Sequence, residues 1–396
     1  MKHSLILLIS SFLLLLGACS KEQPEFTEID PDSVTRTVLI YAANNSSLSS
    51  DFVDDSDEIL KAAEQLDLSR FRILVFRTDD EQNCGLYAVN HSNRTDAPEF
   101  SLLRRYPRNT TSTNPDRIAE VIDYALSLYS NSEYDLIFWG HGMSWKPYFT
   151  DHTVKIDTPE VHAYGGEYTG GTNPNGYKET DWTEIDELAA AVPDGRFDTI
   201  WFDCCYMSGI ETIYEFRNKC RTFVGYPTEV WAYGLAYDIV LPYLLSDSHD
   251  VVGASRAFFD SYNSVGEPVT VAVVDMSEIE NLADAARRVI ANSSKLPRTS
   301  SLVDYSTDYS APFYDFGQYV GQMASLNGLE EERAAFAQAL SLLVIYHDES
   351  AKNFNGKFWT SDDLCGISTH YYRGTDTVDE SYYRTLAWFT RVYPQN

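Results

Sequence analysis

The chain has 396 residues, 44% of them hydrophobic, enough to bury a sizeable core and to build about two domains. Its 59 acidic and 30 basic residues leave a formal net charge of −29. That balance excludes nucleic acid as a partner, and it makes an anionic membrane surface repel the body of the protein. The acidic runs Asp51 to Glu58, Asp79 to Glu81 and Glu330 to Glu332 read as solvated faces.

Lys2 and the apolar stretch Leu5 to Leu16 read as an export signal, too short to cross a bilayer. Leu16-Gly17-Ala18-Cys19 resembles a bacterial lipobox, which implies removal of residues 1–18 and a lipid on Cys19. Ser20 after that cysteine resembles an outer-membrane sorting signal, so a lipid-anchored place in the bacterial cell envelope, on the periplasmic or surface face, is expected. Residues 19–34, polar and carrying Pro24 and Pro31, read as the tether.

Thr37 to Ala43 predicts a first strand, and Asp51 to Leu66 a helix with apolar positions at 52, 53, 59, 60, 63 and 66. Phe71 to Phe76 predicts a second strand, and Tyr87 to Val89 with Leu102 to Tyr106 a small hairpin or edge excursion. Asn114-Pro115 is a helix start, cap then first-turn proline, and Ile118, Val121, Ile122, Ala125 and Tyr129 share one face. A third strand, Tyr134 to Trp139, ends abruptly in Gly140-His141-Gly142.

Residues 146–180 read as a long insertion whose later part is crowded with glycine. It lacks the G-K-[ST] ending of a phosphate loop. Ile185, Leu188, Ala189 and Val192 mark a helix before the fourth strand, Phe197 to Phe202, which ends in Asp203-Cys204-Cys205. Glu211 to Lys219 reads as helix, Thr222 to Tyr226 and Val269 to Val274 as strands, and Leu282 to Asn292 and Glu331 to Tyr346 as helices. Gly366 to Tyr371 and Tyr383 to Val392 add a strand and a closing element. Strands alternating with helices predict an α/β protein with a mainly parallel sheet.

Apart from Cys19, five cysteines remain, an odd number that leaves at least one thiol unpaired within the chain. There is no C-x-x-C pair, so neither a zinc ribbon nor a thioredoxin motif is indicated. The two strand ends carrying His141 and Cys205 are the chemical signal. Sites of open α/β sheets gather at the carboxyl ends of strands. A thiol nucleophile needs a base, an acid for the leaving amine and donors for an oxyanion. Cys205 heads a turn expected to enter a helix at about Ser208, which would lower the thiol pKa. Gly142 would let its N–H approach a carbonyl. Spacing alone is equally compatible with a core cysteine and a hydrogen-bonded histidine that never meet. Asp275 and His370 are read as structural.

The run N-P-x-x-hydrophobic leading to Y-D-L-I-F-W-G-H-G-M-S-W, followed by F-D-C-C-Y-M-S-G-I-E, resembles the histidine and cysteine regions of the clostripain-like cysteine peptidases. That family groups with caspases, legumains and gingipains. The resemblance implies a three-layer α/β/α sandwich with a caspase-like sheet, a peptidase domain over 35–245 and a C-terminal mixed α/β extension over 246–396 that completes the fold. It implies Cys205 rather than Cys204 as nucleophile, His141 as its partner, and the Gly142 and Cys205 N–H groups as oxyanion donors. Asp203 matches an acid at the substrate pocket, which implies cleavage after basic P1 residues of a peptide or protein substrate.

One position departs from the family. Tyr233 stands where a second pocket acid is usual, and Glu229 or Asp238 are the nearby substitutes. Lys155 and Lys178 are candidate self-cleavage sites in the insertion. No metal ligand set is read. Some relatives need calcium, yet no D-x-[DN]-x-[DN]-G loop is present here. The alternative reading is a non-catalytic surface binding protein on a peptidase scaffold, using its 27 tyrosines and 7 tryptophans. With no G-x-S-x-G and no H-E-x-x-H, a serine or metallo-hydrolase is remote.

Overall fold

The computed structural model describes residues 25–78, 83–107, 109–146, 163–168, 179–306, 312–361, 363–375 and 377–394. The signal segment, Cys19, Lys155 and Lys178 lie outside the described residues. The strands are β1 (Arg36–Ala42), β2 (Phe71–Thr78), β3 (Asn83–Ser92), β4 (Ala97–Pro107), β5 (Glu133–Trp139), β6 (His141–Gly142) and β7 (Tyr164–Tyr168). They continue with β8 (Glu179–Thr183), β9 (Phe197–Asp203), β10 (Cys220–Gly225), β11 (Thr270–Asp275), β12 (Tyr314–Asp315), β13 (Val344–Glu349) and β14 (Ser368–Thr369). The helices are α1 (Asp51–Ala63), α2 (Pro115–Leu128), α3 (Ile185–Ala191), α4 (Ile210–Glu215), α5 (Tyr237–Leu244) and α6 (Val251–Asn263). After them come α7 (Ile279–Ala291), α8 (Phe316–Leu326), α9 (Glu330–Leu343), α10 (Val378–Tyr383) and α11 (Ala387–Val392).

The main sheet runs β13-β11-β10-β9-β5-β1-β2-β3-β4. Its centre, β10-β9-β5-β1-β2, is parallel, and antiparallel strands extend both edges. The central strands are apolar on both faces because both are covered. Leu39, Tyr41, Leu136, Phe138, Ile200 and Phe202 enter one core with α2, α3, α4 and α7. Val38, Ile40, Ile137, Trp139 and Trp201 enter the other with α1, α5 and α6. The result is the expected α/β/α sandwich.

Local signals explain the boundaries. The Asn114 side chain accepts the N–H groups of Asp116 and Arg117, capping α2 ahead of its first-turn proline. The expected small hairpin is larger: β3 and β4 form a long antiparallel pair on the β2 edge. The helix expected to reach Tyr346 stops at Leu343, and Val344 to Glu349 instead extend the sheet as β13. The expected strand near Val269 is antiparallel to β10.

The insertion also departs from expectation. It is not all loop, since β7 and β8 build a second small sheet with β6. The Tyr164 hydroxyl lies 3.1 Å from the Tyr41 carbonyl and 3.0 Å from that of Trp139. It therefore bridges the ends of β1 and β5, where successive connections run to opposite sides of the sheet. That switch point is where α/β sheets open a crevice.

Phe138 sits at the centre of the first core. It stacks on Phe202 at 5.1 Å and meets the Tyr164 ring edge-on at 5.2 Å. Phe138→Ala should lower the unfolding free energy by ~3–5 kcal/mol, read as a shift of the urea midpoint at unchanged slope.

Candidate active site

Strand register positions the two key residues. Trp139 on β5 pairs with Asp203 on β9. His141 and Cys205, each two residues further on, therefore leave neighbouring parallel strands at the same level. Both line a cavity of about 140 Å³, together with Trp139, Asp203, Trp231 and Gly234.

The vicinal cysteines sit in the bend and turn that follow β9, and their side chains diverge. Cys204 is fully buried and its thiol donates to the Phe138 carbonyl at 3.3 Å. Cys205 faces the cavity. Its sulfur accepts the Val230 N–H at 3.4 Å and donates to the Val230 carbonyl at 3.7 Å. The chain then turns through Tyr206, whose φ of 62° is costly for a non-glycine residue. Stacking on Phe313 at 4.9 Å and the N–H bond to Thr228 O hold that turn. The helix expected at about Ser208 begins at Ile210 and has only six residues. The thiol is accordingly not lowered: burial pushes Cys205 up to about 12. No disulfide joins the five cysteines among the described residues.

His141 is gripped from three sides. Its Nε2 lies 2.9 Å from Ser47 Oγ. Trp182 of β8 stands 5.9 Å from its ring, and Gly166 of β7 packs so closely that a Cβ there would meet His141 Cδ2 at 3.1 Å. Gly142 backs onto the Cys204–Cys205 turn: a Cβ would meet Cys205 O at 2.6 Å and Cys204 Cβ at 2.8 Å. Met143 N–H bonds Ala163 O, so by antiparallel alternation the Gly142–Tyr164 pair is non-hydrogen-bonded and the Gly142 N–H points away from β7.

Asp203 is 3% exposed. Its Oδ2 accepts the Leu235 N–H and the Tyr237 hydroxyl, both at 3.0 Å, while Oδ1 has no partner among the described residues. Burial pushes its carboxyl up to about 7, against the lowering effect of those two bonds. Gly234, with φ +47°, crosses directly above, where a Cβ would stand 2.8 Å from Asp203 Oδ2.

The other expected pocket residues stand beside the cavity rather than lining it. Tyr233 is 47% exposed, stacks parallel to Trp231 at 6.0 Å and donates its hydroxyl to Glu267. Glu229 adjoins the Val230 clamp on Cys205, and Asp238 pairs with Lys61. Among the described residues no group of three His, Cys, Asp or Glu side chains could hold a metal ion.

The clostripain family model matches residues 39–388. This chain belongs to the clostripain family. Clostripain from Hathewaya histolytica is 24% identical over 225 residues, which span 51% of this chain and only 40% of that protein's length. A secreted C11 cysteine protease from Bacteroides thetaiotaomicron, solved with an irreversible peptide inhibitor, superposes with a TM-score of 0.73 at 25% identity, covering 91% of this chain and 99% of its own. An inactive C11 zymogen from Parabacteroides distasonis gives 0.76 at 26% identity, covering 92% and 100%.

In this clostripain-family chain the segment after residue 245 reaches the turn that follows Cys205. Ser368 N–H bonds Ser208 O and Ser208 Oγ bonds Gly366 O, both at 2.9 Å. Buried Glu211 accepts Thr369 Oγ1 at 2.9 Å, His370 N–H at 3.0 Å and the Tyr383 hydroxyl at 3.2 Å. His370 thus contributes its backbone, and burial holds its imidazole down at about 3. Asp275 caps the short turn that follows β11.

Sequence reasoning missed Ser47, the Val230 clamp and Asp55. Asp55 lies in an acidic run expected to be solvated, yet it is buried against Trp139. Ser47 follows β1 as His141 follows β5, and the same strand-end rule would have found it.

Asp203 leaves a pH signature in stability. Its ordinary pKa is about 3.9 and its folded value about 7, so between them the folded chain holds a proton that the unfolded chain has lost. Raising the pH through that window favours the unfolded chain, so this contribution to stability falls from about pH 4 to about pH 7. Asp203→Asn removes it. Urea titrations at pH 4 and pH 8 should show the variant gaining ~2–4 kcal/mol on the wild type between the two.

Proposed function

We propose that the chain hydrolyses internal peptide bonds as a cysteine-type endopeptidase, with Cys205 as nucleophile and His141 as proton carrier. The observation that carries the reading is the single cavity shared by His141, Asp203 and Cys205 at matching strand ends. The Cys205 sulfur attacks the scissile carbonyl carbon. Because the resting thiol is neutral, its proton leaves as the C–S bond forms and passes to His141, which Ser47 orients. His141 then delivers that proton to the departing amine as the C–N bond breaks. Water opens the thioester, giving one proton back to sulfur through His141.

The Gly142 and Cys205 N–H groups receive the oxyanion. Asp203 Oδ1, buried and without a partner among the described residues, receives the ammonium or guanidinium of a Lys or Arg at P1. An extended substrate takes over the backbone contacts that Val230 makes with Cys205. Export, with a lipid on Cys19 and attachment to the cell envelope, belongs to the same reading. It rests on residues 1–20, and a structural relative described as secreted supports the export part.

Cys205→Ala should lose at least ~10³-fold in kcat/KM, whereas Cys204→Ala should stay within about threefold of wild type. Peptide turnover measured on both variants checks this, and a Cys205→Ala protein turning over at the wild-type rate would sink the reading. A binding protein without catalysis would also leave Cys205 unlabelled by a peptidyl electrophile. A positional peptide library should return Lys and Arg at P1. Cleavage only after acidic or small residues would overturn the Asp203 assignment.

A further inference from the structure

A cationic P1 head group is held best by negative charge that water cannot screen. Position 233 does not supply it here. The Tyr233 ring lies outside the cavity and its hydroxyl is committed to Glu267. The charge behind the cavity comes from another element. Helix α1 presents Asp55 and Glu58 one turn apart, on the face that meets Trp139 at the end of β5 and Tyr237 at the start of α5.

Asp55 is 1% exposed, and its Oδ2 accepts the Trp139 indole N–H at 2.7 Å. Trp139 is itself a wall of the cavity. Glu58 Oε2 accepts the Tyr237 N–H at 2.9 Å, and the Tyr237 hydroxyl donates to Asp203. Three carboxyls therefore converge on one patch of buried aromatic rings. Lys61, the cation on this side of α1, is exposed and paired with Asp238. Burial first, then the Asp203 charge, push the Asp55 carboxyl up to about 9. The two acids feel each other across the patch, and a cation beside Asp203 favours the charged form of both.

We propose that Asp55 is a specificity-determining residue: held behind the cavity wall by Trp139, its carboxyl releases its proton to solvent when a cation enters beside Asp203, and so supplies the second negative charge that selects a guanidinium or ammonium group at P1. This rests on the reading of Asp203 as the floor of the P1 pocket. Asp55 touches neither substrate nor reacting atoms and acts through the field it adds to Asp203.

The test uses the full chain and peptide pairs identical except for arginine or its neutral isostere citrulline at P1. Asp55→Asn keeps the size and an oxygen acceptor for Trp139. It should lower kcat/KM about tenfold on the arginine peptide and leave the citrulline peptide within about twofold. Asp55→Glu, which keeps the charge, should retain more of the arginine preference than Asp55→Asn. Equal losses on both peptides, or no loss on either, would overturn the proposal. Asp203→Asn separates the two ideas. If it abolishes the preference while Asp55→Asn leaves it intact, only the role of Asp55 fails. If wild type does not distinguish the peptides, the P1 reading fails and the role of Asp55 with it.

Discussion

The pairing of Trp139 with Asp203 across β5 and β9 is the constraint on which the site depends. Side chains alternate along a strand, so a slip of one residue would turn every core side chain of β9 to the opposite face. Phe202 would leave its stack on Phe138, and Trp201 would leave the second core. The energetic penalty of that slip is spread over two hydrophobic cores, far more than any bond inside the cavity contributes. The chemistry therefore inherits its precision from packing. His141 and Cys205 are level because the apolar residues below them admit one register.

Beyond the strand ends, precision comes from close backbone contact. Gly142 touches the Cys205 carbonyl, Gly234 crosses Asp203, and Gly166 backs the His141 ring, each at a spacing that leaves no room for a side chain. The Cys205 turn also carries strain at Tyr206, and the segment 366–370 braces it by bonding Ser208 and Glu211. Residues more than 150 positions downstream thus help fix the Cys205 turn. The helices α7, α8 and α9 share the first core with α2 to α4, so the later part of the chain is not a detachable appendage to the sheet.

What was legible in the sequence follows from these physical causes. Parallel strands buried on both faces read as apolar runs, and their sudden ends exposed His141 and Cys205. The Asn114-Pro115 start of α2 announced itself because a cap is a local device. Helix α5 gave no stripe to read: it is apolar nearly all round, with Pro242 inside. Strand β13 follows α9 with no breaking residue between them, so helical periodicity ran on into it. The β7 glycines looked like loop, yet Gly165 is there because Thr113 Cγ2 would lie 2.1 Å from any Cβ. Asp55 was indistinguishable from its solvated neighbours, because burial of a single helix face depends on what packs over it. The family motifs carried the choice of Cys205 over Cys204, and of the two it is Cys205 that lines the cavity.

The Val230 backbone clamp has a chemical consequence for a protein read as exported. Oxidants attack thiolates far faster than thiols. Burial pushes the Cys205 thiol up to about 12, so little of it is thiolate at neutral pH. Held between an N–H and a carbonyl of the same residue, Cys205 is a poor target for peroxide and for disulfide exchange outside the reducing cytoplasm. The groups that must yield when a substrate arrives are the ones that keep the thiol intact until then.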